Sequence, residues 1–258
     1  MGRWDRYSGP MPAPAALVTG ANSGIGEAIC RRLIAEGHHV FAHVRQVDRG
    51  ARLVEEFGTS GPLQLVEADL REPSGPRAIL EAVRAAQAHR LAVIVNNAGG
   101  VLDEHSFVPG EVQDAAETLR VNVAAAYEVS VLGAALMEHG SIVNIASVNG
   151  TSVMLGARVP LYSSAKAALI QLSRMLAVKL APHVRVNVVS PGRTLTPAWG
   201  QLPAAEEREL AADSLIERWV DPPEIADAVW FLTRNHACTG VDLAVDGGIG
   251  LKAGLSNT

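Results

Sequence analysis

The feature that most constrains the fold is a glycine-rich turn between an apolar run and an amphipathic stretch. Residues Ala15–Val18 are typical of a short buried strand, Thr19–Gly26 contains three glycines, and the next residues predict a helix to about Glu36. Glycines let the backbone approach a bound group closely, and the free N–H groups at a helix start favour an anion. A tight turn without a ligand is the alternative. We expect a phosphate-binding turn formed by Gly20, Asn22, Ser23, Gly24, Ile25 and Gly26.

The same alternation of apolar runs and helix-like stretches continues along the chain. Strands are predicted at 39–44, 63–66, 91–95, 141–146, 184–189 and 241–245, and helices at about 48–57, 74–88, 111–139, 160–181, 204–214 and 221–233. Strands that alternate with helices form a doubly wound parallel sheet. We expect one α/β domain of Rossmann type over residues 14–258, behind a flexible tail at residues 1–13. Its seven-stranded parallel sheet should have the order 3-2-1-4-5-6-7, with helices on both faces.

Composition places the chain among soluble globular proteins. Hydrophobic residues make up 48% and charged residues 19% of the 258 positions, and the net charge is −5. An acidic chain is a poor partner for nucleic acid or an anionic membrane, so neither is expected. The cysteines, Cys30 and Cys238, lack metal-ligand spacing, so we expect Cys30 in the core and no metal site. Without a signal-peptide pattern or a membrane-spanning run, a cytoplasmic location is expected.

The ends of the second and third predicted strands indicate how an adenosine group would be bound. An acid at the end of the second strand binds a ribose 2′-hydroxyl, whereas a base accommodates a 2′-phosphate. This strand ends at Val44 and is followed by Arg45, with no carboxylate before Asp48. NADP(H) is therefore favoured over NAD(H), unless Arg45 is only a solvated surface residue. Asp69, just past the third strand, either accepts a hydrogen bond from an adenine or caps the following helix.

A hydroxyl, a phenol and an ammonium follow the fifth predicted strand. Ser147 lies where the strand ends, the edge at which open parallel sheets bind ligands. Tyr162 and Lys166 are four residues apart, so they share one face of the next helix. The Lys166 ammonium favours the phenolate of Tyr162, which suits the pair to proton transfer with a carbonyl or alcohol oxygen. The alternative is an ordinary half-buried helix face.

Asparagines in apolar surroundings mark further positions. Asn96 and Asn97 end the fourth strand, where buried amides must be hydrogen-bonded, so we expect them to tie neighbouring strand ends together beside a ligand. Asn122 lies among apolar residues of a predicted helix and must also find partners. Backbone groups of the helix or of a strand are the alternative to a functional network there.

Taken in order, these motifs closely resemble the short-chain dehydrogenase/reductase family. The resemblance covers residues of about 15–250 and rests on Thr19-Gly20-x-x-x-Gly24-x-Gly26, Asn96-Asn97-Ala98-Gly99, Asn122, Ser147, Tyr162-x-x-x-Lys166, Pro191-Gly192 with Thr196, and Asp246-Gly247-Gly248. It implies that Tyr162 is the general acid/base, that Lys166 assists it and binds the nicotinamide ribose, and that Ser147 polarises the substrate oxygen. It also implies that Asn122 holds a water connecting Lys166 to solvent.

The resemblance implies cofactor and substrate contacts as well. Beyond the glycine turn, the expected cofactor contacts are Arg45, Asp69, Leu70, Asn97, Ala98, Gly99, Tyr162, Lys166, Pro191, Gly192, Thr194 and Thr196. The expected substrate contacts are Ser147, Asn149, Met154, Tyr162 and Trp199. The polar segment 194–220 is expected to be a substrate lid, with an ordinary surface connection as the alternative.

The function implied is interconversion of a ketone and a secondary alcohol with NADP(H), by a carbonyl reductase or a 3-oxoacyl-type reductase. One alternative is an NAD-dependent dehydrogenase of a cyclic or sterol-like alcohol, and another is a catalytically idle dinucleotide sensor or scaffold. Carrier-protein substrates would favour a basic cluster, but Arg193, Arg208 and Arg218 are interpreted as solvated. The family also implies a homotetramer or homodimer, joined through the helices around Asn122 and Lys166.

Overall fold

A single parallel sheet organises the structure. In the computed structural model, residues 13–86, 90–101, 113–152 and 159–255 are described. The strands are β1 (Pro14–Val18), β2 (His39–Val44), β3 (Leu63–Glu67), β4 (Arg90–Asn96), β5 (Gly140–Ile145), β6 (Val184–Pro191) and β7 (Asp242–Val245). They pair in parallel in the order β3-β2-β1-β4-β5-β6-β7. The predicted fold class and strand order are confirmed.

Helices cover both faces of this sheet. In the described ranges they are α1 (Gly24–Ala35), α2 (Ala51–Phe57), α3 (Gly75–Ala85), α4 (Gln113–Leu119), α5 (Ala125–Ala134), α6 (Pro160–Leu180), α7 (Ala204–Ala211), α8 (Pro222–Arg234) and α9 (Ile249–Leu255). Helices α1, α2 and α8 contribute to one hydrophobic core, and α3, α5 and α6 to the other. None of these described helices is both long enough and apolar enough to cross a bilayer.

The strands are apolar on both sides because both faces of the sheet are covered. Successive side chains of β2 alternate between the cores, with Val40 and Ala42 on the α1 side and Phe41 on the α3 side. Cys30 of α1 is fully buried, as predicted. Burial raises the pKa of its thiol, which therefore behaves as a small core residue and not as a nucleophile.

The helical stretch predicted at 111–139 differs from the structure. A π-helical segment, Arg120–Ala124, separates α4 from α5, and α5 ends at Ala134. A π segment is common at functional sites, and here it contains Asn122. The helix predicted at 48–57 begins as a 3-10 turn over Val47–Gly50. The predicted tail lies, apart from Ala13, outside the described residues.

Candidate active site

The glycine turn fits closely against neighbouring loops. Gly20 and Gly24 have positive φ angles of 65° and 53°, which glycine adopts at little cost. A Cβ on Gly20 would lie 2.9 Å from the Ala98 Cα, and one on Gly24 would lie 2.9 Å from the Thr196 Cγ2. A Cβ on Gly26 would overlap the carbonyl oxygen of Gly20. The turn after β1 therefore contacts the segments that follow β4 and β6. The space bordered by these three segments is called the cleft below.

Two polar side chains fasten this turn to the end of β4. The Thr19 Oγ1 accepts hydrogen bonds from the backbone N–H groups of Asn97 and Ala98, each at 3.0 Å. The Asn97 Nδ2 donates to the carbonyl oxygens of Thr19 at 3.0 Å and Gly20 at 2.9 Å. The neighbouring Asn96 donates to the Asn144 Oδ1 of β5 at 2.7 Å. The expected ties between strand ends are present, but the part played by Thr19 was not foreseen.

The start of α1 is suited to a phosphate group. Ser23 is the N-cap in an extended conformation, and within the described part of the chain its side chain does not cap the helix. The first-turn N–H groups are therefore open to a ligand. Asn22 is partly exposed, as are Ser23 and Gly24, whereas Ile25 packs against the core. Ile25 is thus placed to contribute its backbone to a ligand.

Arg45 and Asp69 follow adjacent strands at the far end of the cleft. Arg45 is exposed immediately after β2. The Asp69 Oδ1 accepts a hydrogen bond from the Arg71 N–H at 2.9 Å, and the Arg71 guanidinium pairs with the same carboxylate. This pairing lowers the pKa of Asp69 to about 2, so the carboxylate is charged at neutral pH. Leu70 is buried in the core, which leaves only its backbone for a ligand.

Asn122 joins the loop after β4 to the π segment. Its Nδ2 donates to the carbonyl oxygens of Gly100 at 3.1 Å and Thr118 at 3.0 Å, and its Oδ1 accepts from the Gly100 N–H at 3.1 Å. A Cβ on Gly99 would lie 2.5 Å from the Asn122 Oδ1 and 3.2 Å from the Lys166 Nζ. Gly99, Asn122 and Lys166 therefore meet at one point.

Lys166 is a buried cation beside a phenol. Its residue is 3% exposed, and its Nζ donates to the Ile145 carbonyl at 2.9 Å. Burial lowers the pKa of Lys166 to about 8, because the charged form loses solvation. The Nζ lies 5.6 Å from the centre of the Tyr162 ring, one turn earlier on α6. Tyr162 is partly exposed, so its face of the helix opens on the cleft.

Ser147 begins a tight turn that packs on α6 beside Lys166. It follows β5, and its Oγ accepts a hydrogen bond from the Asn149 N–H at 3.2 Å. A Cβ on Gly150 would lie 2.8 Å from the Lys166 carbonyl carbon, so this turn packs directly on α6. The Asn149 Oδ1 is buried and has no hydrogen-bond partner among the described residues. The predicted substrate residue Met154 lies outside those residues.

The loop after β6 closes the other side of the cleft. Pro191 ends the strand, and a Cβ on Gly192 would lie 2.7 Å from the Asp246 Cα. The Thr194 Oγ1 donates to the Gly192 carbonyl at 3.1 Å, which fixes the loop. Thr196 reaches the glycine turn through its contact with Gly24. The loop therefore faces the start of α1 across the cleft.

The segment 194–220 is pinned at its base. A β-bridge pairs Thr194 with Val220, and the Trp199 Nε1 donates to the Thr194 carbonyl at 3.0 Å. The rings of Trp199 and Trp219 meet edge to face, with centroids 5.0 Å apart. The prediction that Arg193 is solvated is wrong: its side chain is 12% exposed, donates to the Leu210 carbonyl and pairs with Asp213. These partners are backbone and acid groups of the same segment, which the sequence pattern did not reveal.

Comparisons with known proteins identify the family and agree with the fold. The family model described as enoyl-(acyl carrier protein) reductase matches residues 20–250. Acetoacetyl-CoA reductase of Acinetobacter sp. is 33% identical, over 91% of this chain and 96% of the relative. The rhamnolipids biosynthesis 3-oxoacyl-[acyl-carrier-protein] reductase of Pseudomonas aeruginosa is 34% identical, over 92% and 96%. Actinorhodin polyketide ketoreductase, solved with NADPH, superposes with a TM-score of 0.83 at 28% identity, covering 92% of this chain and 97% of that one.

The fold and the glycine turn define a dinucleotide-binding α/β protein. The extent of these matches shows more: the chain belongs to the short-chain dehydrogenase/reductase family and is an NAD(P)-dependent oxidoreductase. The resemblance inferred from the motifs is confirmed. Within the described ranges, no group of three or more His, Cys, Asp or Glu residues is arranged to hold a metal ion.

Gly26→Ala should disrupt the glycine turn. The added methyl would overlap the Gly20 carbonyl, so we expect a loss of about 1–3 kcal/mol in the free energy of unfolding, as overpacking costs, together with loss of dinucleotide binding. Urea unfolding and fluorescence titration with NADPH measure the two effects. Gly100→Ala is the matched control, since its Cβ would meet none of the described residues within 4 Å. Unchanged stability and binding in Gly26→Ala would contradict the close packing described here.

Proposed function

We propose that this protein is an NADP(H)-dependent reductase that converts a ketone to a secondary alcohol, with Tyr162 as general acid. The observation that carries the proposal is the convergence of Gly99, Asn122 and the buried Lys166 beside Tyr162, at the sheet edge that also holds the glycine turn. This convergence supports a site in which the acid/base pair and the dinucleotide-binding turn serve the same substrate.

The chain's own groups account for the protonation of the substrate. NADP(H), which the glycine turn and Lys166 would hold, would supply the hydride that the carbonyl carbon receives. Tyr162 donates its proton to the carbonyl oxygen as negative charge develops there. The Ser147 Oγ accepts a hydrogen bond from the Asn149 N–H. The Ser147 hydroxyl can therefore donate its proton in a hydrogen bond to the same carbonyl oxygen. Both hydrogen bonds strengthen in the transition state, which lowers the barrier.

Lys166 and Asn122 are assigned to returning the proton to Tyr162. An ammonium has three N–H donors, and the bond to Ile145 leaves others for Tyr162 and the cofactor ribose. With a pKa of about 8, Lys166 is mostly charged at neutral pH and still able to release a proton. Asn122, held by Gly100 and Thr118, would position a water that connects Lys166 to solvent.

Substrates are proposed to be 3-oxoacyl thioesters or similar small ketones. Two relatives are named as acetoacetyl-CoA and 3-oxoacyl-carrier reductases, and a structural neighbour is a polyketide ketoreductase. The Asn149 Oδ1, which has no hydrogen-bond partner among the described residues, offers an acceptor beside Ser147, and the partly exposed Trp199 offers an apolar wall. The segment 194–220 is proposed as the lid over this substrate, with the Thr194–Val220 bridge as its base.

Tyr162→Phe should lower turnover of a ketone by about two to four orders of magnitude, as loss of a general acid does. Binding of NADPH should remain within a fewfold of wild type, since the ring and Lys166 are retained. Stopped-flow or steady-state oxidation of NADPH measures the first quantity, and titration the second. Tyr127→Phe removes a phenol hydroxyl from α5, away from the proposed site residues, and keeps the ring that the proposed interface would use, so it should leave turnover unchanged. Near-normal turnover in folded Tyr162→Phe would refute the assignment.

The proposed preference for NADP(H) depends on Arg45. A charge-assisted hydrogen bond contributes about 1.5–3 kcal/mol, so Arg45→Ala should weaken NADPH binding about 10- to 100-fold and NADH binding little. Titration of both dinucleotides measures the difference. Arg84→Ala removes an exposed positive charge from α3 and serves as control. An equal effect of Arg45→Ala on NADPH and NADH would show that Arg45 does not read the 2′-phosphate.

A homo-oligomer is proposed to form through α5 and α6. Tyr127 of α5 and Met175 of α6 are exposed, and Val178 of α6 is 79% exposed. Apolar groups that share a surface in this way are typical of an interface. Val178→Glu should therefore shift the species seen by light scattering from a dimer or tetramer towards a monomer. Val47→Glu introduces the same charge at an exposed site after β2, and it should not change the assembly. A monomeric wild type would disprove the proposal.

A further inference from the structure

A buried histidine connects the two loops at the adenosine half of the cleft. His43 lies near the end of β2 and is 3% exposed. Its Nδ1 accepts a hydrogen bond from the Gly20 N–H at 3.2 Å, and its Nε2 lies 3.0 Å from the Ala68 carbonyl oxygen. Gly20 begins the glycine turn, and Ala68 precedes Asp69. One ring therefore spans the ends of β1 and β3.

These partners define the charge state of the ring. A carbonyl oxygen only accepts, so the Nε2 must carry the proton, and a backbone N–H only donates, so the Nδ1 must be unprotonated. His43 is therefore the neutral Nε2–H tautomer. Protonation would add an N–H at Nδ1 that faces the Gly20 N–H, and the hydrogen bond there would be lost.

Other contacts also hold these loops: Thr19 and Asn97 fasten the glycine turn to the end of β4, and backbone bonds run from the Ala21 N–H to the His43 carbonyl and from the Ala68 N–H to the Val44 carbonyl. Arg120 donates to the carbonyl oxygens of Leu70 and Glu72, which anchors the far part of the loop after β3. The start of the same loop, at Ala68, is joined to the glycine turn by the His43 ring. Movement of that ring would change the spacing between the phosphate-binding N–H groups and Asp69.

We propose that His43 is a positioning residue for the dinucleotide, and that its protonation in acid loosens the glycine turn and weakens dinucleotide binding. This inference rests on the proposed function, because it assumes that the cleft binds NADP(H). His43 itself touches neither the reacting atoms nor the substrate in this scheme. It acts through Gly20 and Ala68.

The surroundings favour the neutral ring overall. Burial lowers the pKa of His43, while its bond to Ala68 and the charge of Asp69 oppose that shift. Asp69 is itself paired with Arg71, which weakens its influence. Strand β1 contributes no ionisable side chain. The other charged groups on neighbouring elements include Glu27, Arg31 and Arg32 of α1, Arg45, Asp48 and Arg49 after β2, Glu67 of β3, Arg77 of α3, and the paired Arg120 and Glu128.

His38 provides a matched control. It is also buried, burial also lowers its pKa, and it lies before β2, at the opposite end of the strand from the cleft. For both histidines the folded-state pKa is below the unfolded value. Each therefore contributes stability that is present above its ordinary pKa and is lost as the pH falls. Acid lability alone thus cannot distinguish a positioning role, whereas dinucleotide affinity can.

The experiment measures the Kd of NADPH and NADH for the wild type, His43→Leu, His43→Asn and His38→Asn, from about pH 8 down to the lowest pH at which the protein stays folded. NADH is included because a phosphate monoester titrates near pH 6 and would add its own pH dependence to NADPH. At the higher pH, His43→Leu should bind both dinucleotides about two- to tenfold more weakly, the effect of losing a net hydrogen bond. On acidification, wild type and His38→Asn should lose affinity, while His43→Leu should change much less. Circular dichroism confirms folding at each pH.

Nitrogen-15 spectra of the wild-type histidine rings test the same point without substitution. A neutral His43 with its proton on Nε2 at neutral pH, retained when NADPH binds, is expected. A protonated ring in the complex would overturn the inference. Wild-type affinity and pH dependence in folded His43→Leu would also overturn it and leave the proposed function intact. A wild type that binds neither dinucleotide would instead refute the proposed function, and the role of His43 with it.

Discussion

The close packing of the glycine turn against the end of β4 is the constraint on which the cleft depends. The side chains of Thr19 and Asn97 make four hydrogen bonds between the turn and the loop after β4. This clasp satisfies backbone groups that would otherwise be buried without partners. It also sets Gly20 against Ala98, so that the start of α1 and the loop carrying Gly99 face the same space.

The proposed chemistry at this edge of the sheet depends on the Lys166 ammonium, which is buried beside these hydrogen bonds. Lys166 is held by the Ile145 carbonyl under the Gly99 loop, where lost solvation lowers its pKa. The same strand end that supplies this carbonyl leads into Ser147, and the following turn packs on α6. The polar groups of the site are thus positioned by backbone of β4, β5 and α6. Their arrangement depends on the sheet and on the short segments that directly follow its strands.

Much of this was predictable because each motif has a local physical signature. Apolar runs separated by helical stretches gave the sheet, and the paired Asn96 and Asn97 indicated bonded strand ends before any partner was known. What the sequence did not reveal depends on distant contacts. The π segment around Asn122, the burial of Arg193 under its own segment and the ring of His43 between two loops each require partners from other parts of the chain. Arg193 is a charged residue, yet its hydrogen bond to the Leu210 carbonyl and its ion pair with Asp213 hold its side chain in a mostly buried position.

In the proposed reaction, the cofactor at the glycine turn and the Tyr162 proton act on the same substrate carbonyl group. The most direct measurement uses NADPH deuterated at the transferable position of the nicotinamide, with a panel of 3-oxoacyl thioesters and simple ketones. Mass spectrometry and proton NMR then locate the label in the product. We expect one deuterium on the carbinol carbon of at least one product, with the hydroxyl proton drawn from solvent. Tight NADPH binding with no labelled alcohol from any member of the panel would contradict the proposed reaction.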